Sequence, residues 1–145
     1  MRFLIQVRAD ASTEAGKMPS EQLLADMTRY NEELAKAGVL LAGEGLHPSA
    51  KGARVKFAGR ERIVRKGPFP ANELIAGFWV FDVKSLQEAI DWVKRCPDPL
   101  PGSQAVIEIR QIYEEADFGP ELTPELRQAE ARLRAQMDAK NAKKK

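Results

Sequence analysis

Apolar and polar residues alternate along several short segments of the chain. In residues 2–8, "RFLIQVR", the side chains of Phe3, Ile5 and Val7 fall on one side of an extended backbone, which is typical of a half-buried strand. Residues 76–83, "AGFWVFDV", are apolar on both faces, as expected for a central strand that is covered on both sides. The same reasoning predicts two further strands, at residues 39–46 and 104–112.

Two amphipathic helices are predicted between these strands. The first follows Ser20 as N-cap and ends at Gly38, and its apolar residues recur at spacings of four, three and four: Leu23, Met27, Tyr30 and Leu34. In the second, Ser85 and Glu88 form an S-x-x-E capping box and Pro97 marks the end. Its predicted buried stripe consists of Leu86, Ile90 and Val93.

A polar hairpin is predicted between the two halves of the chain. "ARVKFAG" and "RERIVRKG" both alternate, and the turn residues Ala58, Gly59 and Arg60 lie between them, so we expect a hairpin that faces solvent. Gly43 and Gly45 interrupt the preceding strand and indicate a bulge or a close approach to its backbone. "ADASTEAGKMP", after the first strand, is expected to be a loop.

The predicted order is β-α-β, an inserted hairpin, and β-α-β again. Two such units interleave into a ferredoxin-like α+β fold, an antiparallel sheet with both helices on one face. Thr123 and Pro124 begin a further, C-terminal helix with a thin apolar stripe. We therefore expect a ferredoxin-like domain at residues 1–115, followed at 116–145 by a linker, the helix and a lysine-rich tail.

The second face of such a sheet has no helix to cover it. Either Trp79 and Phe81 or their neighbours Phe78 and Val80 must point there. A bare apolar sheet face is unfavourable in a monomer. We therefore expect a homodimer in which two sheet faces pack together, with the C-terminal helix on its own subunit or on the partner.

The net charge of +2 depends on the tail. "KNAKKK" carries four lysines, and without it 19 basic residues stand against 21 acidic ones. A nucleic-acid-binding module concentrates positive charge on a folded face, so nucleic acid is disfavoured as a partner. No apolar run approaches the roughly 20 residues of a membrane span, and the N-terminus does not resemble a signal peptide. We expect a cytoplasmic protein without a membrane partner.

Few residues offer chemistry. The single cysteine, Cys96, precludes an internal disulfide, and the single histidine, His47, precludes a multi-histidine metal site. No dinucleotide-binding or Walker-type glycine motif is present. The sequence therefore predicts neither a metal site nor a cofactor. His47 lies just beyond a strand, with Glu44 three residues earlier, and we take these two as candidate catalytic residues for proton transfer. A histidine at a pocket rim, bonded to a backbone carbonyl, is the alternative.

Three further residues are candidates for ligand binding. Gly67 and Pro68 form a stiff turn that positions Phe69, which either closes a pocket over an apolar ligand or fills the end of a barrel. Trp79 lines a cavity between sheets or belongs to an interface. Asp82, near the exit of the central strand, is an acid in a cleft or a solvated side chain.

Long segments of the chain resemble the YCII-related proteins, specifically the branch named for its DGPF motif. The resemblance is carried by "AGVLLAGEGLHPS", "GPFPANELIAGFWVFDVKSLQEAIDWVKRCP" and "EIRQIYEEADFG". It implies a dimeric α+β barrel formed by two ferredoxin-like sheets. Most members have no known function, some occur beside extracytoplasmic-function sigma factors, and a few distant relatives act on small aromatic or lactone substrates.

This chain departs from the family pattern in two ways. Lys66 replaces the aspartate of the motif, and the acidic and lysine residues that follow are mostly absent. The YciI-type branch is associated with a His–Asp pair, but the first helix here has no histidine. Two functions therefore stay open: a cofactor-independent enzyme that uses acid–base chemistry on a small molecule, and a non-enzymatic ligand-binding or regulatory module linked to sigma-factor control.

Overall fold

The computed structural model describes residues 1–144, so that Lys145 of the predicted lysine-rich tail lies outside the described residues. The chain divides into two units, one from Met1 to Ile112 and a second that begins at Tyr113.

The first unit contains six strands and three α-helices among its residues. In chain order they are β1 (Arg2–Arg8), α1 (Ala11–Glu14), α2 (Glu21–Lys36), β2 (Leu40–Gly45), β3 (Ala53–Ala58), β4 (Glu61–Lys66), β5 (Ile75–Asp82), α3 (Leu86–Lys94) and β6 (Ile107–Gln111). Short 3₁₀ turns at Ser49–Lys51 and Ala71–Glu73 flank the β3–β4 pair.

Four of the strands form one antiparallel sheet in the order β2-β5-β1-β6. This is the ferredoxin-like arrangement, in which the first and third sheet strands of the chain are central. The fold class predicted from the sequence is therefore confirmed. Strands β3 and β4 pair only with each other and form a separate two-stranded hairpin, as predicted.

The hydrophobic core lies between one face of the sheet and helices α2 and α3. Along β1 and β5 every second side chain is buried, because successive residues of a strand point to opposite faces. Ile5 stands opposite Trp79 on one side and Ile109 on the other. The core side chains from the helices are Tyr30, Leu34 and Ala89. Both helices therefore lie on one face of the sheet.

Local sequence signals explain where the two long helices begin and end. The Ser20 hydroxyl accepts a hydrogen bond from the Leu23 amide, and Ser85 accepts one from the Glu88 amide; each satisfies an amide that the helix cannot pair. Gly38, with φ of 74°, follows α2, and this left-handed conformation suits glycine. The predicted caps at Ser20, Ser85 and Gly38 are confirmed. The predicted capping box is only half formed, because the Glu88 carboxylate accepts from the Lys84 amide and not from the Ser85 amide.

Of the two effects predicted for the glycines of β2, the close approach is seen at Gly43. The register between β2 and β5 also shifts, but between Leu40 and Ala42, ahead of both glycines. A Cβ atom at Gly43 would lie 2.7 Å from Cδ1 of Trp79. The Trp79 indole therefore packs directly on the backbone of β2, and only glycine leaves room for it.

Three predictions about the first unit were wrong in detail. The segment after β1 is not all loop, because Asp10 and Thr13 form a capping box that starts the short helix α1. The last strand spans only Ile107–Gln111, not residues 104–112. Leu86 is 49% exposed, whereas Ala89 is fully buried. The side of α3 that faces the core therefore carries Ala89, Trp92 and Val93 and includes neither Leu86 nor Ile90.

The second unit consists of a 3₁₀ turn at Glu115–Asp117 and helix α4 (Pro124–Lys143). Thr123 caps the helix and Pro124 follows it at the first position, as predicted. Arg127 forms an ion pair with Glu115 at 2.8 Å. No residue of α4 among those described is buried. In the part of the chain that the structure covers, no helix combines the length and the apolar character needed to cross a membrane.

Candidate functional site

Asp10 is held in place by hydrogen bonds where the chain leaves β1. Its Oδ1 accepts from the Ser12 hydroxyl at 2.6 Å and from the Thr13 amide at 2.9 Å. Its Oδ2 accepts from the Ser103 hydroxyl at 3.2 Å. Because these donors favour the charged form, first Ser12 and then Thr13, the pKa of Asp10 lies below its usual value of 3.8. Asp10 is therefore a fixed carboxylate.

A cleft of about 430 Å³ opens beside Asp10. One wall is the segment from Asp10 to Leu23, and the other is the loop from Pro99 to Ser103. A second depression of about 330 Å³ adjoins it and shares Asp10, Leu100 and Ser103 with it. Arg8 lines this second depression, and its guanidinium donates to the Asn72 carbonyl at 2.7 Å.

The lining of the cleft suits binding more than proton transfer. Met18, Leu23 and Leu100 supply apolar surface, and Asp10 and Lys17 supply one charge of each sign. Neither depression is lined by histidine or cysteine. An ionised carboxylate with a lowered pKa is a hydrogen-bond acceptor and is a weak general base at neutral pH. The arrangement can therefore hold and orient a small molecule.

The structure places His47 and Glu44 apart from this cleft lining. His47 is exposed in the segment after β2, and Glu44 is exposed on β2 opposite Phe78. No hydrogen bond joins the two side chains among the described residues. Their predicted catalytic pairing stays a prediction.

The Gly-Pro-Phe loop is tied to two residues that the sequence analysis did not select, Glu14 and Ser49. The Phe69 amide donates to the Ser49 hydroxyl at 2.8 Å. Ser49 in turn donates from its amide and its hydroxyl to the two carboxylate oxygens of Glu14, at 2.9 and 2.5 Å. Helix α1, the turn after β2 and the Gly-Pro-Phe loop are thus joined by one chain of hydrogen bonds.

Gly67 is required by the closeness of this loop to the Ser49 turn. The Gly67–Pro68 peptide bond is cis. A Cβ atom at Gly67 would lie only 1.8 Å from the Ser49 carbonyl oxygen. No side chain fits there without moving the backbone.

The Phe69 ring is buried, at 7% exposure, and arginines of the hairpin cover it. The Arg54 guanidinium lies 4.0 Å from the ring centroid and that of Arg65 lies 5.6 Å away, which are cation–π distances. Arg54 also forms an ion pair with Glu73 at 3.1 Å. Phe69 thus packs at the base of the hairpin, and a role in ligand binding stays a prediction.

Trp79 and Asp82 occupy different environments on β5. Trp79 is 8% exposed, its indole N–H donates to Oδ1 of Asn31 at 2.8 Å, and Tyr30 meets it edge to face with centroids 5.8 Å apart. Asp82 is exposed and lies 3.5 Å from the α-amino group of Met1. Their proposed contacts with a ligand stay predictions.

Cys96 is unsuited to nucleophilic chemistry. Burial, with a smaller contribution from the Asp98 charge, raises the pKa of its thiol to about 12. A thiol with that pKa holds almost no reactive thiolate at neutral pH. Within residues 1–144, His, Cys, Asp and Glu side chains form no group of three or more that could hold a metal ion.

The sheet face opposite the helices carries Leu4, Gln6, Phe78 and Val80, which are half-buried in the single chain. Leu4 stands opposite Val80 and Gln6 opposite Phe78. Of the two alternatives that the sequence left open for this face, the structure selects Phe78 and Val80. Exposed charges of both signs, Glu108 and Arg110 of β6, lie beside them.

The sequence of this chain is similar to one family model and to a protein of another organism. The sequence model of the YCII-related domain matches residues 1–115. An uncharacterized protein of Rhizobium meliloti (strain 1021) is 29% identical over 97 residues, which cover 66% of this chain and 77% of that protein.

A solved structure also matches at the level of the backbone. It is 5-chloro-2-hydroxyhydroquinone dehydrochlorinase from Burkholderia phenoliruptrix AC1100, in complex with 2,5-dihydroxybenzoquinone. The match has 14% sequence identity and a TM-score of 0.44, and it covers 82% of this chain and 100% of that one. A match this distant carries no information about activity.

Proposed function

Because this chain belongs to the YCII-related family, whose model spans its whole sheet, we propose that it binds a small molecule in the cleft beside Asp10. The observation that supports this is the Asp10 carboxylate, which three donors hold at the cleft wall. A group fixed in advance loses little entropy when a ligand arrives. The same carboxylate caps helix α1, so in this proposal Asp10 serves both the fold and the ligand.

The ligand that fits is small, partly apolar and equipped with a hydrogen-bond donor. A volume of about 430 Å³ lies within the usual range for small-molecule sites. Met18, Leu23 and Leu100 would cover the apolar part. The Asp10 carboxylate at the cleft wall would accept a hydrogen bond from a hydroxyl or ammonium group of the ligand.

A titration with defined probes tests this proposal. Phenol, benzyl alcohol and benzylamine are added to ¹⁵N-labelled protein, with toluene as the probe that lacks a donor. We expect shifts at residues 10–23 and 99–106, and binding that Asp10→Asn weakens by about tenfold or more for benzylamine. Asp91→Asn, at an exposed carboxylate on α3, is the matched control. Equal affinity in Asp10→Asn and the parent protein would contradict the proposal.

A second candidate function is cofactor-independent acid–base catalysis by His47, with Glu44 as the orienting carboxylate. Its support is that His47 is exposed and lies two residues before Ser49, whose hydrogen bonds to Glu14 and Phe69 anchor the turn. In a screen of small aromatic esters and lactones, His47→Ala would then abolish turnover without changing the melting temperature. Turnover that survives in His47→Ala would remove this candidate. The non-enzymatic alternative, a ligand-binding or regulatory module, would bind a ligand in the Asp10 cleft without turnover.

We further propose that the protein forms a homodimer through the sheet face of Leu4, Phe78 and Val80. A two-fold axis brings one patch against its own copy, so Glu108 of one subunit can meet Arg110 of the other. Phe78→Lys is expected to give a folded monomer in light scattering coupled to size exclusion. Leu86→Lys, at an exposed apolar residue on the helix side, serves as the control and leaves the mass unchanged. A dimeric Phe78→Lys variant would refute this interface.

A further inference from the structure

The β3–β4 hairpin exposes apolar side chains that nothing in its own unit covers. Phe57 is 70% exposed and Val64 is 61% exposed, and Val55 is also exposed. Val55 pairs with Val64 and Phe57 pairs with Arg62 across the two strands, so all four lie on one face. The Arg62 guanidinium lies 4.4 Å from the Phe57 ring centroid. We call this face, Val55, Phe57, Arg62 and Val64, the apolar strip.

The opposite face of the hairpin is already anchored at its base. Arg54 and Arg65 pair with each other across the strands and cover the Phe69 ring. The Gly67 amide donates to the Gly52 carbonyl at 3.0 Å and closes the base. The hairpin therefore has a defined attachment, but the apolar strip faces away from it. A two-stranded hairpin by itself is marginally stable in water, so a partner on the strip would stabilise it.

Charge is divided sharply between the hairpin and the rest of its unit. Residues 53–66 carry six Lys and Arg against one Glu, a net charge of +5. The remaining residues of the unit, 1–52 and 67–112, carry ten basic and thirteen acidic residues, a net charge of −3. The hairpin of one molecule and the body of another therefore attract each other.

We propose that the apolar strip docks on a second copy of this chain, against the acidic remainder of its first unit, which we call the body. The β3–β4 hairpin, which we call the arm, then packs against the partner subunit. This inference rests on the proposed homodimer. The hairpin is the next sheet element after β2, beyond the 3₁₀ turn at Ser49–Lys51, and Glu44 of β2 lies beside Phe78 on the sheet face assigned to that dimer. The arm thus continues the same interface. Apolar side chains with arginine among them are typical of protein–protein contacts, which favours a protein partner over nucleic acid.

Photo-crosslinking from the strip tests the arm. A benzophenone amino acid is placed at position 57, and ¹⁵N-labelled and unlabelled protein are mixed in equal amounts. We expect crosslinked peptides of mixed isotope composition that join residues 53–66 of one chain to residues 1–52 or 67–112 of another. The same group at position 87, an exposed site on α3, is the control and should give few such links. Links confined to one chain, or links to nucleic acid that copurifies, would overturn the inference.

The strength of the dimer gives a second measurement. Phe57→Glu should raise the dimer dissociation constant by about tenfold or more, whereas Phe57→Leu should change it little. Added salt should weaken the parent dimer, because it screens the opposite charges of arm and body. An unchanged dissociation constant in Phe57→Glu would refute the arm and leave the sheet-face dimer intact. Failure of the parent protein to dimerise at all would instead refute the sheet-face proposal as well.

Discussion

The four-stranded sheet and the β3–β4 hairpin contain the same alternation of apolar residues and use it in opposite ways. In β1 and β5 the alternate side chains are buried under α2 and α3. In β3 and β4 no described residue is buried. Alternation therefore predicts that a segment is a strand, but the burial of its apolar side depends on which other element reaches it.

The two regions also differ in charge and in attachment. The sheet is continuous with its helices through a single hydrophobic core. The hairpin is joined to the rest of the unit around Phe69, which is not part of that core cluster. It also carries a net charge of +5 on a body of −3. The hairpin is thus built as an appendage whose apolar side is available to a partner.

The largest expected effect comes from comparing one phenylalanine in each region. Phe81 is fully buried, so Phe81→Ala should lower the free energy of unfolding by about 3–5 kcal/mol. Phe57 is exposed, so Phe57→Ala should change the unfolding of the dissociated protein by no more than about 0.5 kcal/mol. Urea denaturation at low protein concentration measures both. Similar losses in the two variants would show that the hairpin has a core of its own.

The next effect concerns the junction between the two regions. Gly67→Ala would force a methyl group against the Ser49 carbonyl, and we expect a loss of about 1–3 kcal/mol in the free energy of unfolding. Gly45→Ala is the matched control, because a Cβ atom there meets nothing within 4 Å. Thermal denaturation followed by circular dichroism would compare them. If Gly67→Ala were as stable as Gly45→Ala, the close packing of Gly67 against the Ser49 carbonyl would be disproved.

The smallest effect belongs to the body alone and depends on pH. Hydrogen bonds lower the pKa of Asp10 in the folded protein, so its charge contributes stability that is fully present above the unfolded-state pKa. That contribution is lost as the pH falls through the folded-state value. The difference in unfolding free energy between the parent protein and Asp10→Asn should therefore be full at pH 6 and shrink below about pH 4. If urea denaturation gave the same difference at pH 6 and pH 3, that result would contradict a lowered pKa of Asp10 in the folded protein.

Most of the fold could be predicted because its signals are local. The caps at Ser20 and Ser85, the stop at Gly38 and the hairpin turn at Gly59 each depend on a few neighbouring residues. The antiparallel sheet then follows from the order of the elements. The face of β5 could not be predicted, because its residues are apolar on both sides. Only the packing of Trp79 against β2 and α2 decides it.

The candidate site was harder to predict because its contacts are distant in sequence. Ser49 is bonded to Glu14, 35 residues away, and to the Phe69 amide, 20 residues away. No local pattern marks Glu14 or Ser49 as partners. Asp10 carried one readable signal, since an aspartate three residues before Thr13 is a helix N-cap. Its contact with Ser103 depends on the tertiary fold, and no local sequence pattern indicates it.

The most direct test of the proposed function is to map where a small ligand binds by backbone amide shifts. Benzylamine is titrated into the ¹⁵N-labelled parent protein, and the residues with perturbed amide shifts are located in the structure. The cleft beside Asp10 predicts perturbations at residues 10–23 and 99–106, with little change at 44–51. Perturbations centred on 44–51 and 67–70 would place the ligand beside His47, and would contradict the assignment of the site to Asp10.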